Sequence, residues 1–438
     1  MKTFFIDNHG CAKNQVDAEE MAEHLRRHGY TQLAQGETAD LIIVNSCGFI
    51  ESAKKESIEA ALAIRSAWPD KKLILAGCLS QRYADELYND MPELDGVFGN
   101  SRLSQITEVA DKVMQAQRST LVPPRQAYDP APRGRLTGYP RFAYLKISEG
   151  CSNRCSFCAI PLIRGDISSR SIDSVIAEFR QLLAQDSFEI CLIGQDLGSF
   201  GLESSGRAQL PELLAAISAL QGDFRVRLLY IHPDRFPLEI LDACKRDPRI
   251  LPYFDIPFQH ASTGILRAMN RQGTAEKYLE LLATIRETLP DAVIRTTFLV
   301  GFPGESEEDF AELLRFQQAA RPDWLGCFAY SREEDTPAYN YKQRVPQKTA
   351  TQRKQLVEET QIALTANALQ RHVGTVQRIL IEERIEGEDL AIGRGSMNAP
   401  EVDGLIVVVG GDCQAGQTRT VRISAVRGVD LEAVPCES

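Results

Sequence analysis

Phe142-Ala143-Tyr144-Leu145-Lys146-Ile147 runs almost directly into Cys151-Ser152-Asn153-Arg154-Cys155-Ser156-Phe157-Cys158. The first run is short, apolar and aromatic, and it predicts a strand. The second places three cysteines at C-x3-C-x2-C just past the strand's end. Thiolates are the usual ligands of iron–sulfur clusters. Three of them hold three irons of a four-iron cube and leave the fourth open to a substrate or cofactor. Such a site does chemistry and is more than an electron relay. The competing reading is structural zinc, which usually takes four protein ligands. No fourth Cys or His stands close by in the sequence.

Working outward, 142–147, 189–194, 225–231, 253–258, 293–300 and 324–330 all read as strands. Helical patterns such as Ser174–Ala184 and Glu307–Phe316 lie between them. Six βα units predict a partial or open (β/α)6 barrel. Polar residues gather after its strands: Gln195, Asp196, His232, Gln259, His260 and Glu305. Barrel active sites lie at that carboxyl-terminal face.

Upstream, Thr3–Ile6, Leu41–Val44 and Leu73–Ala76 read as strands, with helical patterns over Asp17–His28 and Glu51–Ala67. That alternation predicts a parallel α/β sheet. Cys11, Cys47 and Cys78 each follow one of these strands. Ligands bind at the carboxyl ends of parallel strands, so three strand-end cysteines converge there. Gly10, Gly48 and Gly77 beside them suit close backbone approach. The competing reading is three separate buried thiols. Pro123, Pro124, Pro130, Pro132, Gly134, Gly138 and Pro140 mark a linker. A long helical pattern covers 346–370. Beyond it come short β-rich runs, Gln377–Ile381, Leu405–Val409 and Thr418–Ile423, which predict a small β-barrel. The expected divisions are 1–115, 116–140 (the linker), 141–370 and 371–438.

Composition narrows the function. The chain has 438 residues and a net charge of −11, which argues against general nucleic-acid binding through an overall positive field. No apolar run is long enough for a membrane span. Asp7 comes too early for a secretory signal, so the cytoplasm is expected. Eleven cysteines in such a chain suggest metal ligation before disulfides. Cys191, Cys244, Cys327, Cys413 and Cys436 lack partners at metal spacing and read as ordinary thiols.

The cysteine loop after the first strand of a βα barrel resembles the radical S-adenosylmethionine superfamily. With Cys11, Cys47 and Cys78 upstream and a β module downstream, the whole chain resembles the methylthiotransferases. It is most similar to the branch that modifies an aspartate of the twelfth protein of the small ribosomal subunit. Gly10–Asp17, Asn45–Ile50, Gly77–Arg82 and Ala159–Gly165 carry that resemblance. The family pattern has Pro where Ala12 stands and Thr where Ser46 stands; neither is a ligand position.

The resemblance implies two [4Fe-4S] clusters, one on Cys151, Cys155 and Cys158 and the other on Cys11, Cys47 and Cys78. It implies that the tail is a TRAM module and that S-adenosylmethionine binds the open iron of the barrel cluster. Reductive cleavage there gives a 5′-deoxyadenosyl radical able to take hydrogen from an aspartate β-carbon. That bond is not acidic enough for a general base. An electron donor such as flavodoxin or ferredoxin is implied. Further cofactor contacts are expected from Gln195 and Asp196, from Gly301, Gly304 and Glu305, and from Arg164 and Arg170. His232 and His260 read as packing or hydrogen-bonding residues.

From 371 onward there are seven Arg, no Lys and eleven Asp plus Glu. A module gripping transfer RNA should be basic, whereas an acidic one suits a basic ribosomal protein. A chain ending near residue 370 is expected to keep both clusters and lose binding to that protein. Two other functions remain open: a transfer-RNA adenosine methylthiotransferase with the same chemistry, and a non-catalytic iron–sulfur module.

Overall fold

The structure is a computed structural model. It describes residues 2–125, 127, 128, 130, 133, 134 and 138–436. Part of the expected linker, including Pro132, lies outside the described residues.

The amino-terminal body is a six-stranded parallel sheet. Its strands are β1 (Thr3–Asn8), β2 (Thr31–Gln32), β3 (Leu41–Ser46), β4 (Lys72–Gly77), β5 (Gly96–Phe98) and β6 (Ser119–Leu121), in the order β2-β1-β3-β4-β5-β6. β3 is buried along its whole length, because helices cover both faces of the sheet. The order reverses between β1 and β3, and a crevice opens at their carboxyl ends. β6 falls inside the stretch read as linker, so that stretch is partly sheet. The helix expected over Asp17–His28 begins at Ala12. Its first turns bury Lys13, Asn14, Asp17, Glu19 and Glu20 alongside Ala12, Val16 and Ala18, so burial there follows no apolar stripe. Asp17 pairs with Lys146 and Arg164 of the next body, and Glu19 and Glu20 meet Arg133 and Tyr128 of the connecting stretch, so hydrophobic periodicity could not reveal this start.

The central body is an open sheet of six parallel strands. They are β7 (Phe142–Lys146), β10 (Glu189–Ile193), β11 (Arg225–Leu228), β12 (Ile250–Asp255), β13 (Val293–Val300) and β14 (Trp324–Ala329), in the order β14-β13-β12-β11-β10-β7. A two-residue ribbon, β8 (Ser148–Glu149) with β9 (Ser168–Ser169), brackets the cysteine loop. Alternate residues of the large strands face opposite ways. Ala143, Leu145, Ile190, Leu192, Val226 and Leu228 pack on the outer helices. Phe142, Tyr144, Cys191 and Tyr253 face inward. The strand expected over 225–231 ends at Leu228, because Tyr230 turns to φ +70°.

The tail is a closed five-stranded barrel: β15 (Val376–Arg384), β16 (Leu390–Arg394), β17 (Ile406–Val409), β18 (Thr418–Arg427) and β19 (Asp430–Pro435). It follows a helix, Gln347–Leu369. Its core is continuous with the inner face of the central sheet. Trp324 Nε1 donates to the Met397 carbonyl at 2.7 Å, and Tyr253 Oη donates to Asp403 at 2.6 Å. The tail therefore plugs the open barrel.

Candidate functional site

Strand ends bring the amino-terminal cysteines together. Cys11 stands at the head of the helix Ala12–Arg27, Cys47 directly after β3, and Cys78 directly after β4. Two glycines make the approach possible. A Cβ on Gly48 would lie 2.7 Å from the Cys78 carbonyl oxygen, and Gly77 needs φ +97°. Asn14 sits among the thiols. Its Oδ1 accepts from Cys78 Sγ at 3.5 Å and from Cys11 Sγ at 3.7 Å. Its amide donates to the Ser46 carbonyl at 2.9 Å.

The barrel cysteines occupy a loop tied down at several points. Cys151 N–H donates to the Gly165 carbonyl at 3.1 Å, and Ser156 Oγ donates to the Ala268 carbonyl at 2.7 Å. Asn153 donates to Asp196 Oδ2 at 2.9 Å. Arg271 points at Cys155 Sγ from 3.8 Å.

One residue links the barrel segment to the amino-terminal cysteines. Arg164, just after the barrel loop, donates to Cys78 Sγ at 3.1 Å. It also contacts Asp17 at 2.8 Å and both Glu149 oxygens at 3.0 Å. Lys146 joins the same buried network through Asp17 and through Glu149 at 2.7 Å. Asn100 adds another donor to Cys78 Sγ, at 3.4 Å.

The thiols differ electrostatically. Burial and the neighbouring cysteines push Cys47 up to about 12. Burial also raises Cys151 to about 11 and lifts Cys78 and Cys158. Burial raises Cys11 as well, but Lys13 and Arg164 outweigh it and hold that thiol below its ordinary value. Thiols held high do not ionise on their own near neutral pH; a bound metal deprotonates them outright. Among the described residues, no three His, Cys, Asp or Glu side chains are grouped around a single metal ion. Thiolates around a four-iron cube stand farther apart than ligands of one ion. Sulfur donors met by amide and guanidinium N–H groups suit such a cluster.

The other expected residues fall in several places. Gln195 donates to Glu149 at 3.0 Å, and its own Oε1 is buried without a partner among the described residues. Asp196 is fully engaged, accepting from Gly198, Ser199, His232 and Asn153. Arg170 is tied to Glu178 and Ser174, away from the cysteines. Gly301 and Gly304 both have positive φ, and Glu305 turns back onto the Gly301 and Phe302 amides at 2.7 and 3.2 Å. His260 stands 3.6 Å from that carboxylate. Burial, with Arg271 and Arg235 nearby, pushes His232 down to about 2. The remaining five cysteines are scattered, four of them buried. Sequence reasoning assigned no role to Asn14, Asp17, Glu149 or Arg271. Asn14 and Asp17 lie one and two turns after Cys11, which is the only local signal for them.

Comparisons with known proteins agree with this layout. The uncharacterized protein family UPF0004 matches residues 3–99, the radical SAM superfamily 145–316, and the TRAM domain 373–435. The ribosomal protein uS12 methylthiotransferase RimO of Treponema denticola is 45% identical over 98% of this chain and 100% of that one. The protein of the same name from Natranaerobius thermophilus is 38% identical over 97% and 96%. Among solved structures, the radical S-adenosylmethionine methyltransferase TsrM from Kitasatospora setae, with cobalamin and a [4Fe-4S] cluster bound, superposes with a TM-score of 0.58. It is 16% identical, with 77% of this chain and 74% of that chain covered. The cobalamin-dependent radical enzyme OxsB gives 0.51 at 12% identity, with 82% and 56% covered. Such identities show the fold alone. The near-full-length relatives show more: this chain belongs to the family of ribosomal protein uS12 methylthiotransferases.

Proposed function

We propose that this protein methylthiolates the β-carbon of an aspartate in ribosomal protein uS12, using one iron–sulfur cluster on Cys151, Cys155 and Cys158 and a second on Cys11, Cys47 and Cys78. The single observation that carries the reading is Arg164, which joins Cys78 to Asp17 and to Glu149, two residues before Cys151, in one buried network. When bound, the barrel cluster with S-adenosylmethionine would supply a radical for the unactivated C–H bond, and the second cluster an open iron for sulfur.

The chain's own residues hold, orient and shield. Gly165, Ala268 and Asp196 anchor the barrel loop, so three thiols are presented together. Arg271, Arg164 and Asn100 direct N–H groups at sulfur and favour the thiolate. Gln195 keeps a buried carbonyl free beside Glu149, suited to an amino group of the cofactor. The tail excludes water from below the barrel. Its acidic composition fits a basic protein substrate. A one-electron donor of the flavodoxin or ferredoxin class is required.

The test compares a deletion strain with its parent by mass spectrometry of uS12 and of transfer RNA. The expected result is loss of one methylthio group from uS12. Loss from transfer-RNA adenosine instead would move the substrate to nucleic acid and leave the radical chemistry standing.

A further inference from the structure

We propose that the segment of uS12 carrying the target aspartate enters the barrel mouth through a cleft at the β14 edge, where it packs on Phe328. This rests on the function proposed above and names the route by which a protein substrate reaches the barrel.

The reacting carbon belongs to a side chain of a folded protein. Only a loop of that protein fits inside a barrel mouth, and its body stays outside. The amino-terminal body reaches the mouth at both ends of the open sheet. It does so through Arg164 and Cys78 near β7, and through Glu51 and Arg82 beside Ser331 and Glu333 after β14. A loop therefore needs an aperture beside one of those contacts.

Two sides are closed. The tail fills the floor, through its bonds with Trp324 and Tyr253. At β7, Lys146 and Arg164 are buried in ion pairs with Asp17, and Arg133 lies buried between Glu19 and Glu178. A cavity of about 630 Å³ on that side is walled by Lys146, Glu149 and Arg164.

The β14 edge is different. A cavity of about 860 Å³ opens there, with walls from both bodies: Ile50 and Glu51 at the head of the helix Glu51–Ala67, Gly301 after β13, and Phe328 and Tyr330 at the end of β14. Ile50 comes three residues after Cys47. Tyr330 packs against the cluster of Leu299 and Phe302 that also receives Phe157 of the barrel's cysteine loop. The cavity is thus bounded by chain adjoining each cysteine group.

Its lining calls for an occupant. Alternation along β14 turns Trp324, Gly326 and Phe328 to the inner face, and Leu325 and Cys327 to the outer. The tail buries Trp324 to 6%, yet Phe328, on the same face, is 49% exposed. The Tyr330 hydroxyl is buried with no partner among the described residues, whereas a buried phenol usually has one. A backbone carbonyl of an entering loop supplies that acceptor, and an apolar side chain covers the Phe328 ring. The charges at the rim are mixed. Glu51 and Glu334 stand with Arg332 and Arg344, while Lys54 is paired with Glu51 and Glu333, and Lys354 with Glu358. Such a balance suits a peptide; a nucleic-acid strand needs cations along its phosphates.

Crosslinking reads the route directly. Full-length holoenzyme with p-benzoylphenylalanine in place of Phe328 is irradiated with isolated uS12, beside holoenzyme with the same group in place of Arg102, which lines the cavity near β7. The first is expected to capture uS12 close to the target aspartate, located by mass spectrometry of the joined peptide, and the second is not. Phe328→Ala should weaken uS12 binding about tenfold, as for loss of an aromatic anchor. Iron content and thermal unfolding confirm that each variant is loaded and folded; if Phe328→Ala is not, Phe328→Leu is read in its place. Failure to capture uS12 from position 328, or capture from position 102 instead, overturns the inference. So does a Phe328 variant that binds uS12 as tightly as the parent. A parent that binds no uS12 counts against the proposed function instead.

Discussion

Arg164 Nη2 stands 3.1 Å from Cys78 Sγ, so the segment after the barrel's cysteine loop touches the strand-end cysteine of another body. The same guanidinium holds Asp17 from the first body and Glu149 from the second. The relative placement of the two cysteine groups is therefore set by a buried charge network.

Removing Arg164 should be expensive. Arg164→Leu leaves Asp17 and Glu149 buried without that partner, and breaking a buried pair costs ~3–5 kcal/mol. Arg164→Lys should rescue only part, since one ammonium cannot copy a planar fork. Denaturant unfolding reads the stability, and iron analysis reads the amino-terminal site. A Leu variant within ~0.5 kcal/mol of the parent would show the network to be incidental.

The two cysteine groups should separate by function. Replacing Cys151, Cys155 and Cys158 with Ala should abolish 5′-deoxyadenosine formation. Replacing Cys11, Cys47 and Cys78 should leave that formation in place and stop methylthio transfer. Iron should fall by about half in each case, by four-iron thiolate logic. Product analysis and iron content are the measurements. Full methylthiolation by the second variant would rule out those cysteines as ligands of a working cluster.

Both cysteine groups could be read from the sequence because each follows an apolar strand, and strand ends are legible from short runs such as Leu41–Val44. Of the supporting residues, Arg164 was expected only as a cofactor contact, and Asn14 and Asp17 were not expected at all. The three meet only after two bodies dock, Arg164 being far from the other two in sequence. The same holds for the tail. β16 contains Gly393 and β19 alternates with acids, so neither declared itself. Nothing in the composition of 371–438 announces that Arg394 reaches Glu189.

Acid should weaken the junction between the long helix and the tail barrel. Burial, with Arg371 beside it, pushes His372 down to about 4. Its pKa is depressed on folding, so between about 4 and the unfolded value near 6.5 the unfolded chain binds the extra proton. Stability is then full above pH 6.5 and is lost as pH falls. Between pH 7.5 and 5.5 the loss amounts to about 1 kcal/mol. His372→Gln should flatten the pH dependence of unfolding by that amount. An unchanged slope would mean the imidazole titrates alike in both states.

The tail should not be separable from the barrel. The contacts between tail and barrel argue against the expectation that a chain ending near 370 keeps both clusters. Glu189 is fully buried, and Arg225, Arg227 and Arg394 hold its carboxyl far below the usual carboxylate range. Arg227 donates to the Gly395 carbonyl at 2.9 Å, and Arg225 to the Arg394 carbonyl at 2.9 Å. Ending the chain at 370 removes Arg394 and those carbonyls together, while Trp324 and Tyr253 lose their acceptors on the tail. Charged and aromatic groups would then line an open barrel floor. We expect the truncated chain to aggregate or to unfold many degrees below the parent, and to load little iron. Glu189→Gln tests the same contact in the full chain. It leaves three guanidiniums around a neutral amide and should cost ~3–5 kcal/mol. Thermal unfolding with limited proteolysis after residue 370 reads both. A truncated chain that folds, loads iron and cleaves S-adenosylmethionine at the parent rate would show that the tail serves substrate choice alone.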